Sequence, residues 1–353
     1  MSLRTGSQLG SYRLLRDFVG GSNCRWTFAE SEGREFFVKE FQRPKYPTDS
    51  LPGALSVARL ARCRALEDRH RRLLAGLRIA DDTAGTLVVP VAFFRQGLAY
   101  YHVAPRVAPT SLTLPEIARL PASDRLALVR AAARGVMALH AQRIVHGDLK
   151  PSNVLADRSR NGALAVRLID FDGAYFAGEP PDPDEMEFDQ AYMAPEVLAH
   201  VRRTPEQAGA PPGLAADVFS LGLLIHAYWT GRAPTPAGEH GYAGEAVLAG
   251  DGLGIETPDL PPRVERLLRR ALSADPTARP APWEFDAAIG HLPRPAPTEG
   301  PHPDSPTLGE APSGRIGPRG MSAPSYAGPL PPGRSGSPGI IIRKSKNLER
   351  DGP

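Results

Sequence analysis

Cysteine is scarce in this chain: Cys24 and Cys63 are the only two in 353 residues. Two cysteines are too few for a disulfide-stabilised scaffold, which excludes the disulfide-rich secreted class and agrees with a reducing cytoplasm. Long apolar runs are also lacking. The longest, around residues 221–229, is far shorter than the ~20 residues of a membrane-spanning helix. No N-terminal basic segment leads into an apolar run, so we expect no signal peptide, no membrane insertion and a cytoplasmic location.

Lysine is the next residue in short supply. Only five of the 42 basic residues are lysine, and the chain is rich in Ala, Gly and Pro. This composition indicates a GC-rich bacterial coding sequence, and it directs attention to each lysine. The net charge of +3 is small for this length, so charge favours no nucleic-acid partner.

Strand patterns dominate the first third of the chain and helix patterns the rest. Short β-type runs with glycine-containing turns occupy residues 12–41. Hydrophobic periodicity then predicts a helix over 56–77, strands over 87–91 and 98–103, and helices over 121–140, 215–230 and 262–272. Strands followed by helices predict an α+β fold with two lobes.

The end of the chain has a different composition. From residue 293 onward more than a third of the residues are Pro or Gly. Such a segment has too little apolar surface to offset its ordering entropy, so we predict a disordered Pro/Gly-rich tail over 293–353.

Five motifs occur in order along the helical part. His-Gly-Asp-Leu-Lys-Pro-Ser-Asn spans residues 146–153, and an apolar strand then ends in Asp-Phe-Asp at 170–172. The others are Met-Ala-Pro-Glu at 193–196, Asp-Val-Phe-Ser-Leu-Gly at 217–222 and Asp-Pro-Thr-Ala-Arg-Pro at 275–280. Together they resemble the signatures of the eukaryotic-type serine/threonine protein kinase family. The resemblance implies a bilobal fold, with a β-rich N-lobe over 1–105 and a helical C-lobe over 106–292.

The resemblance assigns roles to individual residues. Asp148 matches the catalytic-loop aspartate that takes the proton of the acceptor hydroxyl, and Lys150 matches the lysine that stabilises charge on the γ-phosphoryl group. Asn153 and Asp170 match the two Mg²⁺ ligands, since Mg²⁺ prefers oxygen donors. Lys39 matches the strand lysine that contacts the α- and β-phosphates of ATP. The cofactors implied are ATP and Mg²⁺, and the implied partners are protein substrates.

Two further ATP-site residues follow from the same resemblance. Gly21 is the one position of the glycine-rich loop that aligns securely. Lys39 is expected to pair with a glutamate of the following helix, and Glu67 is the only glutamate there; the alternative is that Glu67 pairs with Arg64 or Arg71 on a solvated face. A buried ion pair between Glu196 and Arg279, and an Asp217 that braces the catalytic loop, are also implied.

Three features depart from the family pattern. Gly147 stands where an arginine normally receives an activation-segment phosphate, and residues 170–196 contain neither Ser nor Thr. This predicts activity without phosphorylation of that segment. The segment is instead rich in Asp and Glu, either as a solvated acidic loop or as a docking surface for basic substrates. Asp172 replaces the glycine of the Asp-Phe-Gly motif, which alters the hinge or adds a third carboxylate near the metals.

Two alternatives to a protein kinase remain. A small-molecule phosphotransferase of the aminoglycoside or choline kinase type has a catalytic loop close to His-Gly-Asp-Leu. Such enzymes generally lack Lys150-Pro151, the Ala-Pro-Glu turn at 194–196 and the motif at 275–280. A non-catalytic pseudokinase scaffold would fit the poor glycine loop, but it has no need to retain Lys39, Asp148, Asn153 and Asp170 together.

Overall fold

The computed structural model describes residues 3–20, 24–48, 53–107, 111–158, 163–184, 186, 189–204 and 211–292. The side chains of residues 82–84 are not described. The predicted disordered tail (293–353) and Gly21 lie outside the described residues, as do Glu185 and Glu187 of the acidic segment.

An antiparallel sheet forms the first part of the fold. Its strands are β1 (Gln8–Leu9), β2 (Tyr12–Leu14), β3 (Val19–Gly20), β4 (Cys24–Ser31), β5 (Arg34–Phe41), β6 (Ala92–Gln96) and β7 (Ala99–Pro105). They lie in the order β1-β2-β4-β5-β7-β6, with β3 paired to β4. The alternating apolar residues of these strands place one face in a small core of its own, which contains Leu9, Leu14, Ala29, Val38, Ala99, Tyr101 and Val103.

The hairpin between β4 and β5 shows how local sequence fixes the register. Glu32 and Gly33 form its two-residue turn, with positive φ angles of 52° and 72°. A two-residue turn with both φ angles positive matches the twist of the flanking strands. Ser31 therefore opposes Arg34, and six residues further along the same register Arg25 opposes Glu40.

A long helix, α1 (Gly53–Ala84), connects β5 to β6. It extends beyond the predicted range of 56–77 at both ends, and it buries Cys63, Leu73, Leu77 and Ala80. The strand predicted over 87–91 is wrong. Leu87 makes only a single bridge to Leu168, because this apolar run packs Leu87 and Val89 into the core formed mainly by the helices, and the pairing with β7 begins at Ala92.

Helices form the second part of the fold. They are α2 (Leu114–Ala118), α3 (Ala122–Ala141), α4 (Pro195–Arg202), α5 (Leu214–Thr230), α6 (Ala243–Ala249), α7 (Pro262–Ala271) and α8 (Pro282–Gly290). From Ala216 to Trp229 every residue of α5 is buried, so α5 is the central helix of the larger core, as expected for a helix that is apolar on all sides. The predicted α+β architecture is confirmed.

Short antiparallel strand pairs position the loops that carry the motifs. β9 (Val154–Arg158) pairs with β10 (Leu164–Leu168), and β8 (Ile144–Val145) pairs with β11 (Tyr175–Phe176). We refer to β1–β7 with α1 as the sheet region and to the described residues from α2 to α8 as the helical region. The lobe boundary at residue 105 stays a prediction. Among the described residues, no helix combines the length and apolar character needed to cross a bilayer.

Candidate active site

The loop over residues 146–153 is anchored to the start of α5. Both backbone N–H groups at its beginning donate to one carboxylate: His146 N to Asp217 Oδ2 at 2.8 Å and Gly147 N to Asp217 Oδ1 at 3.0 Å. The ring of His140 lies 3.1 Å from the same carboxylate. Asp217 is buried, and these contacts compensate its charge. The predicted bracing role of Asp217 is confirmed.

Asp148 lies in a cluster of polar side chains at the end of this loop. Lys150 Nζ is 2.8 Å from Asp148 Oδ2, and Asn153 Nδ2 donates to the same oxygen at 2.8 Å. Burial raises the pKa of Asp148 above its usual value, although Lys150 acts in the opposite direction. The result is a carboxylate with a single dominant cationic neighbour and more proton affinity than an exposed aspartate, which suits a proton acceptor.

Asp170 follows β10 in an unusual backbone conformation. Its φ and ψ are 61° and 70°, in the left-handed region that costs a non-glycine residue free energy. Such conformations persist where the surrounding structure fixes them, and they concentrate at functional sites. The next residue, Phe171, is buried against the ring of His146 at a centroid distance of 5.1 Å. This packing points the carboxylate of Asp170 away from the core, with its side chain 39% exposed.

Lys39 of the sheet region meets this loop. It lies on β5, which ends at Phe41. Lys39 Nζ lies 3.1 Å from Asp170 Oδ1 and 2.6 Å from Asp172 Oδ2. Burial of Lys39 lowers its pKa, but Asp172 and Asp170 outweigh that effect and raise the pKa above its ordinary value. The lysine is therefore a fixed cation.

A buried ion pair holds the helical region together below the site. Arg279 forms two parallel bonds with Glu196, at 2.7 and 2.8 Å, and the side chains of both are 1% exposed. Arg279 also donates to the carbonyls of Ser273 and Ala215. The Glu196–Arg279 pair predicted from the motifs is confirmed.

A family model described as "Protein kinase domain" matches residues 109–289, about half of the chain. The chain belongs to the protein kinase family. A probable serine/threonine-protein kinase of Thermomonospora curvata, PkwA, is 27% identical over 80% of this kinase chain and 34% of its own length. PkaB of Streptomyces coelicolor is 27% identical over 49% of this chain and 40% of its own length.

PknJ of Mycobacterium tuberculosis, another serine/threonine-protein kinase, is 32% identical over 40% of this kinase chain and 23% of its own length. The chain thus spans at most two fifths of the length of these three relatives. Family membership is shown, whereas substrates and partners are not transferred from the relatives.

Glu67 is not the partner of Lys39 in this kinase structure. Its Oε1 accepts a hydrogen bond of 2.6 Å from the hydroxyl of Tyr100, and the carboxylates on Lys39 are Asp170 and Asp172 instead. Strand register explains the correction. Tyr100 opposes Phe41, whereas Lys39 opposes His102, and these positions are one pleat repeat, about 7 Å, apart. The alternative pairing with Arg71 is not formed either, because Arg71 pairs with Asp68.

Asp172 departs from the expectation of a solvated acidic loop. Its side chain is only 14% exposed, and it lies between Lys39 and His102, with His102 Nδ1 2.9 Å from Asp172 Oδ1. Burial acts to raise the pKa of Asp172, but Lys39 and His102 lower it well below its usual value. Asp172 thus brings a second carboxylate to Lys39, beside that of Asp170. That it lies near bound metal ions stays a prediction. His102 was missed, because no motif distinguishes it from any other residue of a half-buried strand.

Three other carboxylates of the acidic segment are exposed and paired with arginines. Glu179 receives two bonds from Arg72 of α1, at 2.9 and 3.0 Å. Asp182 and Asp184 lie 3.3 and 3.2 Å from Arg203. These carboxylates already have cationic partners within the chain, which favours the solvated loop over a docking surface for basic substrates.

Gly147 has a backbone reason to be glycine. Its φ is +78°, and a Cβ atom there would lie 2.6 Å from the carbonyl oxygen of Gly173. That distance is shorter than real Cβ contacts, so any larger residue would require a backbone shift. The arginine expected from the family therefore does not fit this loop. Independence from segment phosphorylation stays a prediction.

The residues present fit a nucleotide with Mg²⁺. Asp170 and Asn153 offer oxygen donors near a fixed cation, and Asn153 can present its side-chain oxygen because Nδ2 is the atom bonded to Asp148. Within the described residues, no group of three or more His, Cys, Asp and Glu side chains could hold a metal ion alone. Mg²⁺ itself usually takes one or two protein ligands and completes its shell with phosphate and water.

Proposed function

We propose that this chain is an ATP-dependent protein serine/threonine kinase that transfers the γ-phosphoryl group of ATP to hydroxyl groups of protein substrates. The observation that carries the proposal is the meeting of Lys39 with Asp170, two residues 131 positions apart, beside the cluster of Asp148, Lys150 and Asn153. Positive charge for phosphates, oxygen ligands for a metal ion and a proton acceptor thus converge on one place, as phosphoryl transfer requires.

Each residue has a role that its contacts support. Lys39 would hold the α- and β-phosphates as a point charge. Asp170 and Asn153 would hold Mg²⁺, which neutralises triphosphate charge when bound. Asp148 would orient the acceptor hydroxyl and take its proton at the carboxylate, for which its raised pKa is favourable. Lys150, already 2.8 Å from Asp148, would balance negative charge between the acceptor and the γ-phosphoryl group. Gly21 and Glu67 were the other two residues predicted at the ATP site. Gly21 stays a proposal, whereas Glu67 is bonded to Tyr100 and not to Lys39.

The test is phosphoryl transfer from ATP to a generic basic protein, measured with and without Mg²⁺. Replacing Asp148 by Asn keeps the size of the side chain and its bonds to the loop but removes the proton acceptor. We expect Asp148→Asn to lose at least ~10³-fold in turnover, with nucleotide binding retained. Asp182→Asn is the matched control, since it makes the same change at an exposed position.

Three outcomes would contradict the proposal. Unchanged turnover in Asp148→Asn would remove the assigned proton acceptor. Transfer to an aminoglycoside or to choline, with none to the protein, would support the small-molecule phosphotransferase. If wild-type protein binds nucleotide but transfers nothing to either class of acceptor, the scaffold alternative is correct.

A further inference from the structure

Lys39 and His102 form a matched pair on adjacent strands. They oppose each other in the register of β5 and β7, and directly opposed residues project from the same face of a sheet. Both side chains reach the carboxylate of Asp172, Lys39 at Oδ2 and His102 at Oδ1. The side-chain nitrogens of Lys39 and His102 are therefore close enough for one carboxylate to contact both.

This cluster is largely removed from water. The exposed fractions of the side chains are 11% for Lys39, 14% for Asp172 and 9% for His102. Removing one member of a buried charged pair leaves the other uncompensated, which is far more costly than the loss of an exposed pair. Lys39 therefore requires a carboxylate that remains in contact with it when a ligand binds.

Asp170 cannot be that permanent partner if it binds a metal ion. Its side chain is the most exposed of the carboxylates around Lys39, at 39%, and its role in the proposed function is to ligate Mg²⁺. Glu67 is engaged elsewhere: it accepts the hydroxyl hydrogen of Tyr100, a fully buried residue. Of the three carboxylates, only Asp172 is both largely removed from water and directed at Lys39.

We propose that Asp172, held by His102, is the positioning residue that keeps Lys39 aimed at the nucleotide phosphates, in the place that Glu67 was expected to fill. The proposal rests on the proposed kinase function and assigns a new residue to it. Asp172 reaches this position because it sits two residues after Asp170, in the 3₁₀ turn Phe171–Gly173. A glycine at position 172 would leave Lys39 with Asp170 alone, and binding of a metal ion would then compete with Lys39 for its last carboxylate.

The opposite role for Asp172 is a lock that draws Lys39 away from the phosphates. The two roles give opposite results on substitution. A positioning residue, when removed, lowers nucleotide affinity and turnover together, because the lysine loses its aim. A lock, when removed, raises them.

The main experiment compares Asp172→Asn, Glu67→Gln and the neutral control Asp182→Asn in the full chain. We expect Asp172→Asn to weaken binding of an ATP analogue roughly tenfold and to lower turnover, a coupling typical of residues in direct contact. Glu67→Gln should lose clearly less. In the double variant with Lys39→Met, the Asp172 substitution should cause little further loss, because its effect acts through the lysine.

A second measurement does not depend on activity. The chain has only five lysines, so ¹³C-methylation of the amines gives a small set of NMR signals, and Lys39→Met identifies that of Lys39. Asp172→Asn should shift the Lys39 signal strongly, and Glu67→Gln should shift it weakly. This result stands even if no phosphoryl transfer is detected, which separates failure of this inference from failure of the proposed function.

Three results would overturn the inference. The first is a Lys39 signal that responds to Glu67→Gln and not to Asp172→Asn. The second is nucleotide affinity in Asp172→Asn equal to that of the wild type. The third is a gain in affinity and turnover in Asp172→Asn, which would establish the lock. If Asp172→Asn does not fold, His102→Gln is the second variant, and it should shift the Lys39 signal in the same direction by a smaller amount.

Discussion

Two clusters of charged side chains in the kinase are built on different principles: one lies within the helical region, and the other joins Lys39 of the sheet region to Asp170 and Asp172 of the helical region. In the helical region, the guanidinium of Arg279 donates two hydrogen bonds to Glu196 and others to the carbonyls of Ser273 and Ala215. One cation meets one carboxylate, and both are almost completely buried. In the sheet region, Lys39 faces two carboxylates, Asp170 and Asp172, and one of them is open to solvent.

The difference separates a structural ion pair from a binding site. The Glu196–Arg279 pair has matched charges and satisfied hydrogen bonds, so no ligand could improve it. The cluster around Lys39 has an excess of carboxylate oxygens on the side facing solvent, where a divalent cation would restore the balance. The first cluster, which we call the closed pair, is balanced within the chain, whereas the second has one more carboxylate than lysine and leaves Asp170 open to solvent.

The largest effect on folding should come from breaking the closed pair. Arg279→Ala leaves Glu196 buried without a partner, which costs about 3–5 kcal/mol of unfolding free energy. Urea denaturation of the full chain measures the change, with Arg269→Ala, in an exposed pair with Glu265, as the control. A loss no larger than that of the control would show that the two clusters do not differ in the way described.

How much of this contrast the sequence predicted differs between the regions. Glu196, Arg279 and Asp217 were placed correctly because each belongs to a motif whose geometry is set within a single, contiguous helical core. That Lys39 and Asp170 would share a site followed from the family resemblance, and the structure brings them into contact. The partner of Lys39 did not follow, because it depends on the register of β5 against β7 and on how α1 lies over the sheet. Periodicity shows which face of α1 is apolar, but it does not show which strand residue Glu67 meets.

Two departures from the family motifs, Asp172 and Gly147, were visible in the sequence, but their structural consequences were only partly predicted. Asp172 in place of a glycine predicted either an altered hinge or a third carboxylate near the metals, yet its partner His102 lies 70 residues earlier in a strand without any motif. Gly147 was noticed as a missing arginine, whereas the structure shows a positive φ and a backbone oxygen in the way of a side chain. Contacts between distant segments decide both cases, and spacing along the chain does not encode them.

A pH-dependent change in stability, intermediate in size, is expected from His70 of α1. Burial lowers the pKa of His70 to about 4, below its ordinary value of 6.5; Asp172 and the Leu66 carbonyl oppose this shift, and Arg69 and His102 add to it. Its ring stacks on Phe93 at 3.9 Å. Folded protein thus keeps His70 neutral, while the unfolded chain takes up a proton below pH 6.5. Stability is full above that pH and falls as pH drops toward 4, by about 2 kcal/mol between pH 7 and 5.

Denaturation of wild type, His70→Gln and His70→Phe at pH 7 and pH 5 measures this contribution. Neither substituted residue titrates, so both variants should lose the same part of the pH dependence, whatever their own stability. If the wild-type difference between the two pH values survives in both variants, the titration belongs to other groups. The sheet region would then not be the more acid-sensitive of the two.

The smallest effect should come from the exposed pairs that connect the regions. Arg72 of α1 forms a bidentate pair with Glu179 and lies over the ring of Phe176 at 4.5 Å, but both charged side chains are more than half exposed. Exposed ion pairs are weak and are screened by salt.

Glu179→Gln keeps the ring contact of Arg72 and removes only the charge of its partner. It should lower the midpoint of urea denaturation less than the two effects above, and at about 1 M salt, where the screening length is about 3 Å, the difference from wild type should vanish. Arg72→Ala should retain a residual loss at that salt concentration, because it also removes the contact with Phe176. A salt-independent loss in Glu179→Gln as large as that of Arg279→Ala would contradict the description of this pair as exposed and weak.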